Sequence, residues 1–431
     1  MKKTVELSVR DFRAIKHADI AIDGITVVAG VNGCGKSTLS KLLYYILHET
    51  NAYENLAVSY FNNQAQPYFN LLEQMQYRVI MHKGFSSIGL GRHLRFAGLP
   101  GMEQADLFMN NVKDLCDRFW EYTRKTSGDY EISERLEWIL RSTTRSSTSH
   151  STREMLDMLI LQMNDLLDEA KKINLERPIR ILKNNLSEIF NTNFPRNIVL
   201  KEWGDPIIGE GVNNVPILHS VKKVAYIDTP MVIGMPTNSQ QPGYWKEINT
   251  LLKNPPQRGY KRTINDLIKK NIQGDASFSD DFFDGGFKYK RWDGQEFDLM
   301  ECATGIKSFA MLQLLLKNRF IDENTLLIID EPEAHLHPQW IVEYARIIIL
   351  LHKRIGVKFF IASHSTDMVS AIRYLAEKEK CLNSLGFYVA EEHTTGSSTY
   401  SFRSLGHDID PIFESFNKSF LQLDSYINNQ R

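Results

Sequence analysis

Residues 25–47 read ITVVAGVNGCGKSTLSKLLYYIL. Ile25–Ala29 is apolar and rich in β-branched side chains, which predicts a buried strand. It runs into Gly30-Val31-Asn32-Gly33-Cys34-Gly35-Lys36-Ser37, a full match to G-x-x-x-x-G-K-[ST]. An apolar helical stretch follows at once, so the match sits in the strand–loop–helix context that gives it meaning. Gly30, Gly33 and Gly35 let the backbone wrap closely round phosphate oxygens, with N–H groups pointing inward from Asn32 and Cys34 as well. The helix that follows adds its positive N-terminal end. Lys36 is expected to reach the β- and γ-phosphates of ATP, and Thr38 to add a hydroxyl toward the α-phosphate. Ser37 is expected to ligate Mg²⁺. Cys34 is read as a small filler whose N–H matters, the alternative being an oxidation switch.

The second half of the chemistry lies at residues 326–338, LLIIDEPEAHLHP. Four apolar residues, Leu326 to Ile329, lead directly into two carboxylates, a pattern that a surface acidic turn does not explain. Asp330 at the strand end is the expected second Mg²⁺ ligand, and Glu331 the general base that polarises the attacking water. Glu333 is given an accessory role. His335 and His337 are read as loop residues facing a partner subunit, since no third ligand at metal-site spacing accompanies them. One helix and one strand later, KFFIASHS places His364 just past another buried strand. There it is expected to hydrogen-bond the γ-phosphate and hold the attacking water.

Between a predicted hairpin and the acid strand stands Cys302-Ala303-Thr304-Gly305-Ile306-Lys307-Ser308, opening the helix FAMLQLLLKN. In this order of motifs the chain resembles the ABC ATPase superfamily, whose signature turn of the Ser-Gly-Gly-Gln type also opens a helix. Thr304 stands for the serine and Ile306 for the second glycine. A hydroxyl, the Gly305 N–H and a helix N-terminus still make a phosphate site. The resemblance implies that Thr304, Gly305 and Lys307 complete the ATP site of the opposite subunit in a head-to-tail dimer. The opening VELSVRDFRAIKHADIAIDGITVVAGVNGCGKST is similar to the RecF and SMC side of the superfamily, where the Phe-Arg pair belongs to the nucleotide pocket, so Arg13 joins the candidates. The ATG-x-KS turn with DEPEAHLHP is similar to "AAA family" ATPases of prokaryotic anti-phage systems, such as PARIS, Septu and AbiL, and to the OLD nucleases. A Gln at the Mg²⁺ edge is expected in such heads, and Gln64 and Gln66 are both open for that place.

The expected fold is therefore α/β: an ABC-type P-loop ATPase head, with a mixed, mainly parallel sheet, flanking helices and a helical insertion. Residues 1–60 supply the N-terminal part of the head with the P-loop, 61–197 a mainly helical insertion, and 198–431 the part with the signature, acid strand and switch histidine. Strands are also predicted at 4–10, 198–203 and 222–230, a hairpin turning at Asp293-Gly294, and helical segments at 104–123, 131–141, 154–190, 308–319 and 338–353. The stretch STTRSSTSHSTR at 142–153 reads as a solvated tip carrying Arg145 and Arg153.

Of the 431 residues, 42% are hydrophobic and 24% charged, with a net charge of -1, an ordinary globular balance without a global basic field. A local basic-aromatic stretch, RVIMHKGFSSIGLGRHLRF (78–96), is a candidate surface for DNA or an acidic protein. Four well-separated cysteines, Cys34, Cys116, Cys302 and Cys381, argue against a disulfide framework and fit a reducing cytoplasm. No apolar h-region follows the N-terminal lysines, and no apolar run nears the roughly 20 residues needed to span a bilayer, so no membrane association is expected. After His364 only 67 residues remain, and Asp408-Ile409-Asp410 lacks the surroundings of a nuclease domain. The insertion is too short for a long coiled-coil arm. The expectation is thus an ATPase, working as a homodimer or higher homo-oligomer of heads. It would control a separately encoded effector, a nuclease or toxin, in anti-phage defence. The alternative is a DNA-binding repair ATPase of the RecF type.

Overall fold

The computed structural model describes residues 4–83, 98–125, 131–132, 134–136, 138, 151–195, 197–235, 241–281, 285–334, 336–394 and 396–416. The chain divides into two compact units, one from residues 1–51 and 190–431 and the other from 52–189.

The first unit is built on a ten-stranded mixed sheet in the order β5-β4-β1-β2-β13-β12-β3-β11-β10-β6. Its strands are β1 (Val5–Phe12), β2 (Ile15–Ile22), β3 (Ile25–Ala29), β4 (Ile198–Glu202), β5 (Asp205–Ile208), β6 (Lys223–Ile227), β10 (Thr325–Asp330), β11 (Lys358–Ser363), β12 (Leu385–Glu392) and β13 (Tyr400–Gly406). The five neighbours β12, β3, β11, β10 and β6 run parallel. Strands β3, β10 and β11 are buried at every position, which explains their unbroken apolar runs: helices cover both faces of a parallel sheet. The reading of 4–29 missed β2, because IKHADIAI alternates polar and apolar residues and pairs as a hairpin with β1 rather than forming a second buried run. A separate antiparallel sheet holds β7 (Gly274–Ser279), β8 (Gly286–Arg291) and β9 (Glu296–Asp298), with the expected turn at Asp293-Gly294 between the last two.

Helix α1 (Lys36–Asn51) follows the glycine loop. The other helices are α2 (Tyr53–Lys83), α3 (Ala105–Lys125), α4 (Thr152–Glu176), α5 (Ile179–Phe190), α6 (Gly243–Lys253), α7 (Arg262–Ile272), α8 (Thr304–Lys317), α9 (Pro338–Ile355) and α10 (Thr366–Lys378). α8 starts four residues before the predicted helix and is buried on nearly all sides from Gly305 onward, as a central helix should be. α9 opens with His337 as N-cap and Pro338 in its first turn, and closes on Gly356 at φ 89°.

In the second unit, α2, α3 and α4 pack round Phe61, Phe69, Phe108, Phe119, Leu156, Leu159 and Met163. The periodic residues Met155, Leu159, Met163 and Leu167 are buried, while Leu166 is only partly so. The expected single stretch 154–190 is two helices. Arg177 adopts a left-handed conformation (φ 51°) and Pro178 follows, so the backbone ladder of α4 cannot continue. α4 itself starts with a reciprocal capping box between Ser151 and Glu154. Arg153 forms an ion pair with Asp117 at 2.6 Å, and Arg78 with Glu131 at 2.6 Å. Arg145, Arg92 and Arg95 lie outside the described residues.

Candidate functional site: a phosphate loop beside an acid strand

The site grows from the C-terminal ends of the parallel strands. At the end of β3 the chain turns through Gly33 (φ 81°) and Gly35 (φ 102°), backbone angles that a side chain would strain. Space is the second constraint: a Cβ on Gly35 would lie 2.8 Å from Ile15 Cγ1, and one on Gly30 would lie 2.7 Å from Ala390 Cβ and 2.9 Å from Cys34 Sγ. Cys34 is fully buried, and burial pushes its thiol up, away from the reactive thiolate. It is packed as a filler. Lys36 is buried and donates to the carbonyls of Gly30 (2.8 Å) and Val31 (3.0 Å), which hold the ammonium over the loop.

A cleft of about 340 Å³ brings together Arg13, Ala14, Asn32, Gly33, Gly35, Lys36, Ser37, Thr38 and Glu331. Arg13 thus reaches the nucleotide loop from the β1–β2 turn, where its own φ is 53°. Its guanidinium lies 5.4 Å from the ring centres of both Phe12 and Phe190 and donates to the Phe190 carbonyl at 3.0 Å. These contacts fix a long side chain at the rim of the cleft.

Asp330 is buried at the end of β10. Its Oδ1 accepts from Ser40 Oγ, one turn beyond the loop on α1, and its Oδ2 accepts from the Tyr226 hydroxyl at 2.7 Å. Burial pushes the carboxyl up, against the lowering effect of the hydroxyls of Ser40, Tyr226 and Ser37, and neighbouring Asp228 adds to the rise. Asp228 directly follows the adjacent strand β6, and its two oxygens accept from Tyr244 OH and Trp245 Nε1, each at 2.8 Å. Sequence reasoning missed Ser40, Tyr226 and Asp228. The available signals were a hydroxyl three residues past Ser37 and a strand, KVAYID, that ends like the acid strand. Gln64 and Gln66, the open candidates for the Mg²⁺ edge, are exposed on α2 of the helical unit.

Glu331 takes a left-handed conformation (φ 50°), and its N–H donates to the Ala362 carbonyl at 2.7 Å, so β11 holds the strained residue in place. Its carboxylate Oε1 stands 3.3 Å from His364 Nδ1. Both side chains are about two-fifths exposed, whereas Glu333 is buried and stands 3.3 Å from the same nitrogen. His337 caps α9, its Nδ1 accepting from the Gln339 N–H, which gives it a structural task. His335 lies outside the described residues. Among those residues no group of three or more His, Cys, Asp or Glu side chains is arranged to hold a metal on its own.

Thr304, Gly305 and Lys307 stand on the first turn of α8 and do not line the P-loop cleft. Lys307 is buried with Met231 Sδ at 3.9 Å, and Thr304 Oγ1 lies 3.8 Å from the same sulfur.

A P-loop on one strand, an acid pair on the next but one and a histidine on the strand between them define the site of a P-loop ATPase. The family model described as AAA ATPase domain matches residues 102–369, more than half of the chain, and the chain belongs to that family. It is an ATPase. No curated protein matches the chain. Among solved structures, an SMC head bound to the C-terminal winged-helix domain of ScpA is 11% identical, with 94% of this chain and 97% of that one covered and a TM-score of 0.38. The SMC head domain from Thermotoga maritima is 9% identical over 94% and 99%, with a TM-score of 0.37. An ATP-binding cassette of an ABC transporter in its ADP conformation is 11% identical over 90% and 87%, with a TM-score of 0.31. Among the described residues no helix is long and apolar enough to cross a membrane.

Proposed function

We propose that this chain is an ATP-driven switch in which two copies close head to tail over two nucleotides. The observation that carries the reading is the separation of two half-sites: the cleft holds loop, base and Arg13, while the Thr304 hydroxyl and Lys307 lie elsewhere on the head. Lys307 is a buried cation whose neighbour is a thioether, a poor partner for an ammonium. A phosphate from the opposite head would satisfy it, together with the N-terminal end of α8.

In this reading Lys36 exchanges the carbonyls of Gly30 and Val31 for phosphate oxygens, with the N–H groups from Asn32 to Thr38 around them. The donor set at Ser37 and Asp330 is all oxygen and includes one carboxylate, which suits a hard divalent cation. These two residues would hold Mg²⁺, which supplies charge neutralisation at the β- and γ-phosphates. Glu331 orients water and takes its proton, and His364 contacts the γ-phosphate from the neighbouring strand end. Closing and reopening then converts hydrolysis into a change of assembly.

The purpose that fits such a head, on its likeness to anti-phage ATPases, is control of a separately encoded cytoplasmic effector such as a nuclease. Mixing two dead variants tests the shared site. Lys36→Ala lacks the loop cation and Lys307→Ala the opposing half-site. Together they should regain about a quarter of the wild-type rate, the statistical share for one intact site in half of the dimers. Mixtures as inactive as their components would refute the arrangement. Glu331→Gln with ATP should run at twice the monomer mass or above in light scattering. Copurification of that trapped form with DNA rather than with a protein effector would favour the repair ATPase.

A further inference from the structure

Among the described residues, Glu333 is the one buried carboxylate near the site that the hydrolysis scheme leaves unused. It stands two residues past the candidate base, on the turn that leaves β10, and its side chain is 5% exposed. Its Oε1 accepts from Ser363 Oγ at 2.8 Å and from the His364 N–H at 2.9 Å, and lies 3.3 Å from His364 Nδ1. Ser363 in turn receives the N–H of Ser365 on its Oγ at 3.0 Å. One oxygen therefore gathers the backbone and the ring of the switch histidine. The imidazole lies between two carboxylates of different character. Glu331 is about two-fifths exposed and lines the cleft, while Glu333 is enclosed and tied to the loop.

We propose that Glu333 is the positioning residue of His364: it fixes the loop after β11 and keeps the ring proton on Nδ1. The physical reason is the acceptor-only nature of a carboxylate. With Glu331 and Glu333 oxygens both 3.3 Å from Nδ1, the stable arrangement places N–H there, which assigns Nε2 to the phosphate side of the chemistry. When Glu331 turns to water during hydrolysis, Glu333 still holds the tautomer. This rests on His364 acting in hydrolysis, as proposed above.

The bland alternative is that Glu333 staples two loops together with no bearing on the ring. Steady-state ATPase of Glu333→Gln, His364→Ala and the double variant separates the two. The glutamine keeps the volume and a neutral oxygen in the place of Oε1, but removes the negative charge beside Nδ1. Positioning predicts that Glu333→Gln lowers kcat about 10- to 100-fold, the range for a lost hydrogen bond to a charged group, with KM within about twofold. In the His364→Ala background it should then change nothing further. Glu333→Asp keeps the charge one methylene back and should recover part of kcat. It also serves if the glutamine variant does not fold. Ring ¹⁵N spectra should show wild-type His364 protonated on Nδ1. A wild-type kcat in Glu333→Gln, or a loss that multiplies undiminished with that of His364→Ala, overturns the proposal while leaving the reading of His364 intact. A fully active His364→Ala overturns both.

Discussion

His48 gives the head a pH-dependent stability that can be worked out from its surroundings. It sits near the C-terminal end of α1, with Nε2 2.7 Å from Glu247 Oε2 and Nδ1 3.2 Å from Glu49 Oε1, and its ring stacks on Tyr44 at 5.3 Å. Glu247 also accepts the Tyr44 hydroxyl. Burial works against the charged ring, but the two carboxylates outweigh it and push His48 up from 6.5 to about 9. A cation favoured in the folded state adds stability that is complete below about pH 6.5, declines as pH rises, and is gone above about 9. At 1.36 kcal/mol per unit, and allowing for the quarter of the side chain still open to water, the contribution is about 2 to 3 kcal/mol. Urea melts of wild type and His48→Gln at several pH values between 6 and 9.5 measure it. The difference between the two proteins should shrink by about that amount across the range, since all other titrations cancel in the comparison. If the two curves run parallel, the ion pair does not hold the proton and the reasoning fails.

Three further outcomes follow from the site. Tyr226→Phe removes a donor from buried Asp330 and should cost about 1 to 3 kcal/mol, read as a lower melting temperature; an unchanged Tm would contradict the bond at Oδ2. Gly305→Ala would place a Cβ 2.7 Å from the Trp340 ring and 3.3 Å from Leu336. It should destabilise the head by about 1 to 3 kcal/mol through overpacking, and a variant as stable as wild type in urea would refute the close fit. Cys34, enclosed and with its thiol pushed up, should resist maleimide in the folded protein while partly exposed Cys302 and Cys381 label first. Rapid labelling of Cys34 seen by mass spectrometry would revive the oxidation switch.

The parts of this head that could be read from the sequence are those where neighbouring residues share one task. The P-loop is contiguous, and so is the run from Leu326 to Glu331, because a buried strand must be apolar and its exit is where polar chemistry begins. Residues that meet across the sheet were less legible. Tyr226 and Ser40 reach Asp330 from 104 and 290 positions away, and the local signals in the two stretches do not say which residue they meet. Glu333 was placed beside the site but not given its partners, since Ser363 and His364 lie about thirty residues further along. Helix ends suffered from a different cause. The start of α8 was set too late because Thr304-Gly305 reads as a turn, yet Gly305 is there to admit Trp340 against a helix already begun.

What aligns these pieces is the ladder of the parallel strands. Ala29 pairs with Ser363 across β3 and β11, and Asp330 with Ala362 across β10 and β11. Gly30 and His364 therefore leave the sheet level with each other, and Glu331 leaves it one residue earlier, beside Ser363 and Ala29. On the far side Ile329 pairs with Ile227, which brings Asp228 level with Asp330. A slip of one residue between β10 and β11 would turn Glu331 and Glu333 to the opposite face and carry both away from Nδ1. Both strands are buried on both faces, so what forbids that slip is the polar end of β10: it would leave buried Asp330 without its hydroxyl donors. The precision of the site is thus set by backbone register, and the few strained or enclosed side chains, Glu331 and Glu333 above all, convert that register into the position of one imidazole.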